Sequence, residues 1–124
     1  MPEFLLRYKT REDLKTLESI KEFRQRVRHM ATQVQKVTEE IFDLDVVWEI
    51  RGFGDSQGMP NFYVTAWVTD NDETKGGKIL RAQAAIQTLL ESYALDSETV
   101  GCWFMGVKGK WGEGQGKLLA GGVI

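Results

Sequence analysis

The sequence is poor in cysteine, histidine and proline, and it has no long apolar run. Its single cysteine, Cys102, excludes an internal disulfide and fits a reducing compartment, so we expect a cytoplasmic protein. No apolar segment is long enough to span a membrane, and the charged Glu3 and Arg7 around the first apolar stretch are not typical of a signal peptide. The net charge of −2, without a dominant basic patch, gives nucleic-acid binding little support.

The length of 124 residues and the pattern of apolar residues predict one small α/β (α+β) domain. Alternating apolar residues from position 4 predict a strand that ends near Thr10. Apolar residues then recur at steps of three and four over positions 14–41, which predicts a long amphipathic helix. We expect residues 11–13 to open this helix, with Thr10 as its N-cap, and residues 43–45 to end it.

The second half of the chain repeats this order. The predicted elements are a strand at Val46–Arg51, a loop at Gly52–Pro60, a strand at Asn61–Thr69, a helix that opens at Asp70–Glu73 and runs to Tyr93, a strand at Val100–Val107, and a glycine-rich hairpin or folded-over tail at Lys108–Gly116. The pattern is therefore β-α-β, a loop, and again β-α-β.

Two short echoes support an internal duplication. A Met-Pro pair precedes the first strand of each half, as Met1-Pro2 and Met59-Pro60, and a glycine-rich segment follows the last strand of each. We predict a single domain, 1–124, made of two β-α-β repeats at about 2–58 and 59–124, with a pseudo-twofold four-stranded sheet and both helices on one face. The alternative is a ferredoxin-like regulatory or binding module with an antiparallel sheet.

Three stretches carry a family resemblance: Pro2 at the head of the first strand, residues 71–75 at the opening of the second helix, and residues 108–114 with Trp111 at their centre. On these, the sequence resembles the tautomerase superfamily, as a fused two-copy version of 4-oxalocrotonate tautomerase. The resemblance implies a cofactor-independent isomerase, with no metal, that moves a proton on a small carboxylated keto, enol or unsaturated substrate. It also implies a homotrimer, and hydratase, dehalogenase and decarboxylase variants of the family remain open.

The chemistry of Pro2 agrees with that implication. Methionine is usually removed before so small a neighbour, and the exposed secondary amine of proline is then a base whose pKa an apolar pocket or nearby cations would lower towards neutrality. In some members of the family the proline is instead kept protonated as an acid. The nitrogen of Pro60 is an amide and cannot act in this way, so each chain would carry one proton carrier.

The resemblance also suggests which residues bind the substrate carboxylate. Arg11 lies one place before the family's first arginine position, Arg51 is a displaced substitute for the second, and Arg7 on the first strand is a further alternative. A guanidinium suits this role because its planar fork donates two hydrogen bonds to a carboxylate. Trp111 matches the family's aromatic pocket wall. Cys102, in mid-strand without a nearby histidine, is predicted to be a buried structural thiol.

Overall fold

The computed structural model describes residues 3–42, 47–54, 58–69, 77–107 and 116–123. In chain order, these residues form β1 (Glu3–Lys9), α1 (Leu17–Phe42), β2 (Val47–Phe53), β3 (Phe62–Thr69), α2 (Gly77–Tyr93), β4 (Val100–Val107) and β5 (Gly116–Val123). They build one mixed sheet with the strand order β2-β1-β3-β4-β5.

The strand pairing confirms the predicted α+β architecture of two β-α-β units. β1 pairs in parallel with β2, and β3 pairs in parallel with β4, because a helix returns the chain to the same end of the sheet within each half. The two halves meet through their first strands, β1 and β3, which run antiparallel. Parallel neighbours inside each half exclude the antiparallel ferredoxin-like sheet.

The core lies between the helices and one face of the sheet. Phe4 and Leu6 of β1, and Val64 of β3, contact the buried stripe of α1 and α2 in a single apolar cluster. The predicted alternation is thus confirmed, because every second residue of the central strands packs against the helices and its neighbours point the other way. We call that second, helix-free surface of the sheet the open face.

The start of α1 corrects the sequence prediction. The helix begins at Leu17, not at residues 11–13, and its N-cap is Thr16, whose hydroxyl oxygen accepts a hydrogen bond of 3.0 Å from the backbone N–H of Ser19. Thr10 has a different role. Its hydroxyl and its backbone N–H both donate to the carbonyl oxygen of Phe53, so the chain stays paired with β2 up to this point.

Two other elements differ from the prediction. β2 continues to Phe53, although its last residues were predicted to be loop, because Gly52 and Phe53 remain in register with Tyr8 and Lys9. A fifth strand, β5, pairs antiparallel with β4 beyond the predicted hairpin or tail. β5 lies at the edge, so the four-stranded arrangement of the two repeats is retained inside a five-stranded sheet.

We call the two ends of the sheet the Glu3 end and the Lys9 end, after the first and last residues of β1. The Glu3 end is where β1 begins, beside Val47 of β2 and Trp67 of β3. The Lys9 end is where β1 ends, and there the backbone N–H of Lys9 donates to the carbonyl oxygen of Asn61 just before β3.

Candidate functional site

The predicted proton carrier and the predicted aromatic wall, Pro2 and Trp111, both lie outside the described residues. What the structure does describe is the surface at the Glu3 end, next to the residue that follows Pro2 in the sequence. On the open face near this end lie Leu5, Trp67 and Met105, with Trp67 and Met105 directly opposite each other in β3 and β4. Leu5 is buried and the other two are half-buried, so these three side chains form an apolar patch, which the exposed Glu3 borders opposite Trp67.

Arg7 lies further along β1 on the open face and is bound to an aromatic neighbour. Its Nη1 donates a hydrogen bond of 3.2 Å to the hydroxyl of Tyr63, and its guanidinium carbon is 5.9 Å from the centroid of the same ring. Its Nε is buried and makes no hydrogen bond among the described residues. The guanidinium is therefore held in place with one donor still unsatisfied.

Tyr63, the partner of Arg7, belongs to a cluster of three aromatic rings. Tyr63 packs edge-on against Trp103, with ring centroids 5.4 Å apart, and Phe53 packs against the other side of Tyr63 at 5.7 Å. This cluster was missed from the sequence, since its members come from β2, β3 and β4 and only the two-residue alternation hints at a shared face. It fixes the side chain of Arg7 within the middle of the open face.

Arg51 lies opposite Arg7 in the register of β1 and β2, on the same face. It is exposed, and its guanidinium is paired with the carboxylate of Glu49 on the same strand. A substrate carboxylate would have to compete with that neighbour, although an exposed pair of this kind is weak.

Arg11 lies beyond the Lys9 end of β1, in the connection to α1. Its Nε and Nη2 donate to the two carboxylate oxygens of Asp13 at 2.8 and 2.7 Å, and its Nη1 lies 3.9 Å from Glu98. The hydrogen bond from Arg11 lowers the pKa of Asp13 to about 2, so this pair is ionised at neutral pH. The carboxylate-binding fork of Arg11 is thus already occupied within the chain.

None of these three arginines is at the Glu3 end in its own chain. Arg7 is four residues along β1 from Glu3, which is about 13 Å at the usual rise of a strand, and Arg51 is level with it. Arg11 is further still. If one of these three arginines binds the substrate at a site at Pro2, it must therefore belong to a neighbouring subunit.

Two cations on α2, which were not predicted from the sequence, do lie towards the Glu3 end. The C-terminus of α2 is at the Lys9 end, since the carbonyl oxygen of Tyr93 accepts a hydrogen bond from Arg26 next to Glu98. The helix has 17 residues, about 25 Å, so its first turns lie at the other end of the sheet. Lys78 and Arg81 are in these turns, and both are exposed.

Other chemistry is limited in the part of the chain that the structure describes. Cys102 is buried in the core, as predicted, and burial raises the pKa of its thiol to about 12. No group of three histidine, cysteine, aspartate or glutamate side chains among the described residues is arranged to hold a metal ion. No described helix is both long and apolar enough to cross a membrane.

The comparisons with known proteins add no relative. No protein-family model matches the chain, and no curated protein matches it.

Proposed function

We propose that this protein is a cofactor-independent tautomerase. The nitrogen of Pro2, freed by removal of Met1, takes a proton from carbon or oxygen of a small carboxylated keto, enol or unsaturated acid and returns it one or two atoms along. Such a base needs a pKa near neutrality, and an apolar surface favours this because it disfavours the charged amine.

One observation carries the proposal, and that is the pairing of the strands. Two β-α-β units, each with parallel strands, meet antiparallel through β1 and β3, which is the arrangement that a fused two-copy tautomerase requires. In this arrangement β1 begins at the edge of an apolar patch formed by Leu5, Trp67 and Met105. The residue that precedes Glu3 in the sequence is the proline that the chemistry needs.

The substrate carboxylate needs a cation near Pro2. Within the same chain we favour Arg81, whose exposed side chain is on α2 and therefore on the helix side of the sheet; its Nε donates at 3.3 Å to the carbonyl oxygen of Gly77. Because α2 begins at the Glu3 end, a substrate would reach from the open-face patch to this arginine around that end of the sheet. Arg7, Arg11 and Arg51 take this role only if a neighbouring copy presents them. Among these three, Arg51 is the most accessible, since Arg7 is held by Tyr63 and Arg11 by Asp13.

We also propose that the chain forms a homotrimer in the cytoplasm. The helices cover one face of the sheet, whereas the open face carries Trp67, Trp103 and Met105, all half-buried in a single chain. Packing of this face against other copies would cover the rings and could supply an acceptor for the Nε of Arg7. Light scattering tests this point, and a stable monomer at micromolar concentration would contradict it.

The decisive experiment is on Pro2. Intact mass gives the state of Met1, and ketonisation of phenylenolpyruvate and of 2-hydroxymuconate is then followed for the parent chain and for Pro2→Ala. We expect the substitution to lower kcat/KM by about 10²- to 10⁴-fold, the usual contribution of a general base. Arg81→Gln should raise KM, because it removes a carboxylate contact, and Arg51→Gln is its comparison.

A matched control keeps Pro2 and blocks only its nitrogen. Insertion of one glycine between Met1 and Pro2 turns that nitrogen into an amide, so this variant should be as inactive as Pro2→Ala while folding like the parent. Retained Met1, or equal rates for Pro2→Ala and the parent, would refute the role of Pro2. Halide release from a halogenated acid, water addition to an unsaturated acid, or CO2 release from a 3-oxo acid, in place of enol turnover, would assign a dehalogenase, hydratase or decarboxylase reaction, respectively, to the same residue.

A further inference from the structure

On the helix side of the sheet, a cavity lies between α1 and the edge strand β2. Its volume is about 290 Å³, close to the lower limit for small-molecule sites. The lining residues are Tyr8, Phe23, Arg24, Val27, Arg28 and Ile50. Four of them are apolar or aromatic and two are arginines, so the walls separate into an apolar floor and a cationic rim.

The floor is preformed and partly open to solvent. Tyr8 and Phe23 meet edge-on with ring centroids 6.0 Å apart, and Val27 behind them is buried. Gly52 lets the ring of Tyr8 lie close to β2, since a Cβ at this position would come within 3.1 Å of the phenol. Ile50 is nevertheless 47% exposed, so an apolar group in the cavity would remove branched hydrocarbon from water.

The rim consists of two arginines one helical turn apart. Arg24 and Arg28 stand at i and i+4 on α1, where like charges repel each other. The residues three and four places from either of them, namely Ile20, Lys21, Val27, Gln25, Ala31 and Thr32, include no acid. The helix thus concentrates positive charge here without an intrahelical partner.

These two guanidinium groups also differ from the other arginines in their contacts. Arg11, Arg26 and Arg51 each pair with a carboxylate. Neither Arg24 nor Arg28 forms a side-chain hydrogen bond or an ion pair with any of the described residues. Their donors therefore remain available for an anion at the mouth of the cavity.

We propose that this cavity binds a small organic anion with one carboxylate and an aromatic or branched apolar body. The body would occupy the floor beside Ile50, and the carboxylate would accept hydrogen bonds from Arg24 and Arg28. The site is separate from the one proposed at Pro2, because Tyr8 is five residues along β1 from Glu3, about 17 Å, and on the helix side of the sheet. The chain would thus carry a second ligand site, away from its chemistry.

The test is a titration of the full chain with phenylacetate, followed by NMR of the isoleucine methyl groups and backbone amides. We expect the largest shifts at Ile50 and at the amides of α1 around Val27. Phenylacetamide, which has the same shape without the charge, should bind at least about tenfold more weakly, the loss expected from charge-assisted hydrogen bonds. Inorganic phosphate, which has the charge without the body, should also bind more weakly than phenylacetate.

Variants separate the two halves of the site. The double substitution Arg24→Gln and Arg28→Gln should weaken phenylacetate binding about tenfold. Adding Ile50→Ser to this variant should weaken binding further. Lys36→Gln, on an exposed position of the same helix outside this cavity, is the matched control and should change nothing. Pro2→Ala should also leave binding unchanged, so failure here and failure of the proposed catalysis are distinguishable.

Three results would overturn the proposal. They are equal affinity for the amide and the acid, unchanged affinity in the double arginine variant, and shifts that localise away from Ile50. Burial of Ile50 by self-association along the β2 edge, seen as loss of phenylacetate binding on concentrating the protein, would assign the cavity to an interface instead.

Discussion

Leu6 and Val64 lie directly opposite each other in the central antiparallel pair, and they are separated by 58 residues. Pro2 and Pro60 have the same separation, so Leu6 and Val64 are equivalent positions of the two β-α-β units when these are aligned on their prolines. The pseudo-twofold axis of the sheet therefore passes between these two side chains. Both are completely buried under the helices, so the axis runs through the centre of the core.

Because Leu6 lies where the two β-α-β units meet, shortening its side chain should destabilise the fold. Leu6→Ala leaves a cavity between both halves, and we expect it to lower the free energy of unfolding by about 2–5 kcal/mol. Leu17→Ala is the matched control, because Leu17 is 69% exposed and its loss should cost less than about 0.5 kcal/mol. Urea unfolding followed by far-UV circular dichroism measures both. Equal stability of the two variants would contradict the placement of Leu6.

The sequence predicted this duplicated architecture because its signals are local or repeated. Alternation identified the strands, and the three- and four-residue steps identified both helices. The start of α1 was wrong for a physical reason. Thr10 and Thr16 both precede acidic residues and are equally good caps by local chemistry, but Thr10 is bound to Phe53, a contact across 43 residues that no local pattern contains.

The candidate site was less predictable than the fold. An arginine can bind a substrate only if its guanidinium is not already paired within the chain. The partners of Arg7 and Arg26 are 56 and 72 residues away in the sequence, so local patterns do not reveal them. The fifth strand was missed because glycines dominate its surroundings and glycine disfavours strands as a general rule. Contacts of this kind can be identified only when the register of the sheet is known.

A two-point ion pair connects α1 to the turn just before β4. Arg26 donates from Nη1 and Nη2 to the two carboxylate oxygens of Glu98 at 2.5 and 3.1 Å, and the Glu98 side chain is only 5% exposed. Glu98→Gln removes the charge from a buried two-point contact. We expect a loss of about 1.5–3 kcal/mol in the free energy of unfolding. Glu91→Gln, an exposed position on α2, is the control that should leave stability unchanged.

The same pair should make stability depend on acid pH. Burial opposes ionisation of Glu98, but its hydrogen bonds with Arg26 and with the backbone N–H of Leu95 outweigh this effect and lower its pKa below the usual 4.5. The unfolded chain thus binds the proton more readily, so the contribution is present above about pH 4.5 and is lost as the pH falls through the lowered pKa. The difference in urea midpoint between the parent and Glu98→Gln should shrink from pH 7 to pH 3. A constant difference would refute this linkage.

Gly101 provides the space that the aromatic cluster of the open face needs. A Cβ at this position would lie 3.0 Å from the ring of Trp103 and 3.2 Å from Pro60, and Trp103 cannot easily move because it packs against Tyr63. We expect Gly101→Ala to lower the free energy of unfolding by about 1–3 kcal/mol through overpacking. Gly54→Ala is the control, since a Cβ there would meet nothing within 4 Å. Thermal unfolding of the two variants should differ clearly, and equal melting temperatures would contradict this packing.

Cys102 should be inert in the folded chain. Burial in the core raises the pKa of its thiol from 9.0 to about 12, so the reactive thiolate is about a thousandfold scarcer, and the side chain has no solvent access. We expect labelling by Ellman's reagent at pH 8 to be at least about a thousandfold slower in the native protein than in urea. Because there is one cysteine, the released chromophore reports this thiol alone. Rapid labelling without denaturant would show that β4 opens readily, and it would contradict the prediction that Cys102 is an inert structural thiol.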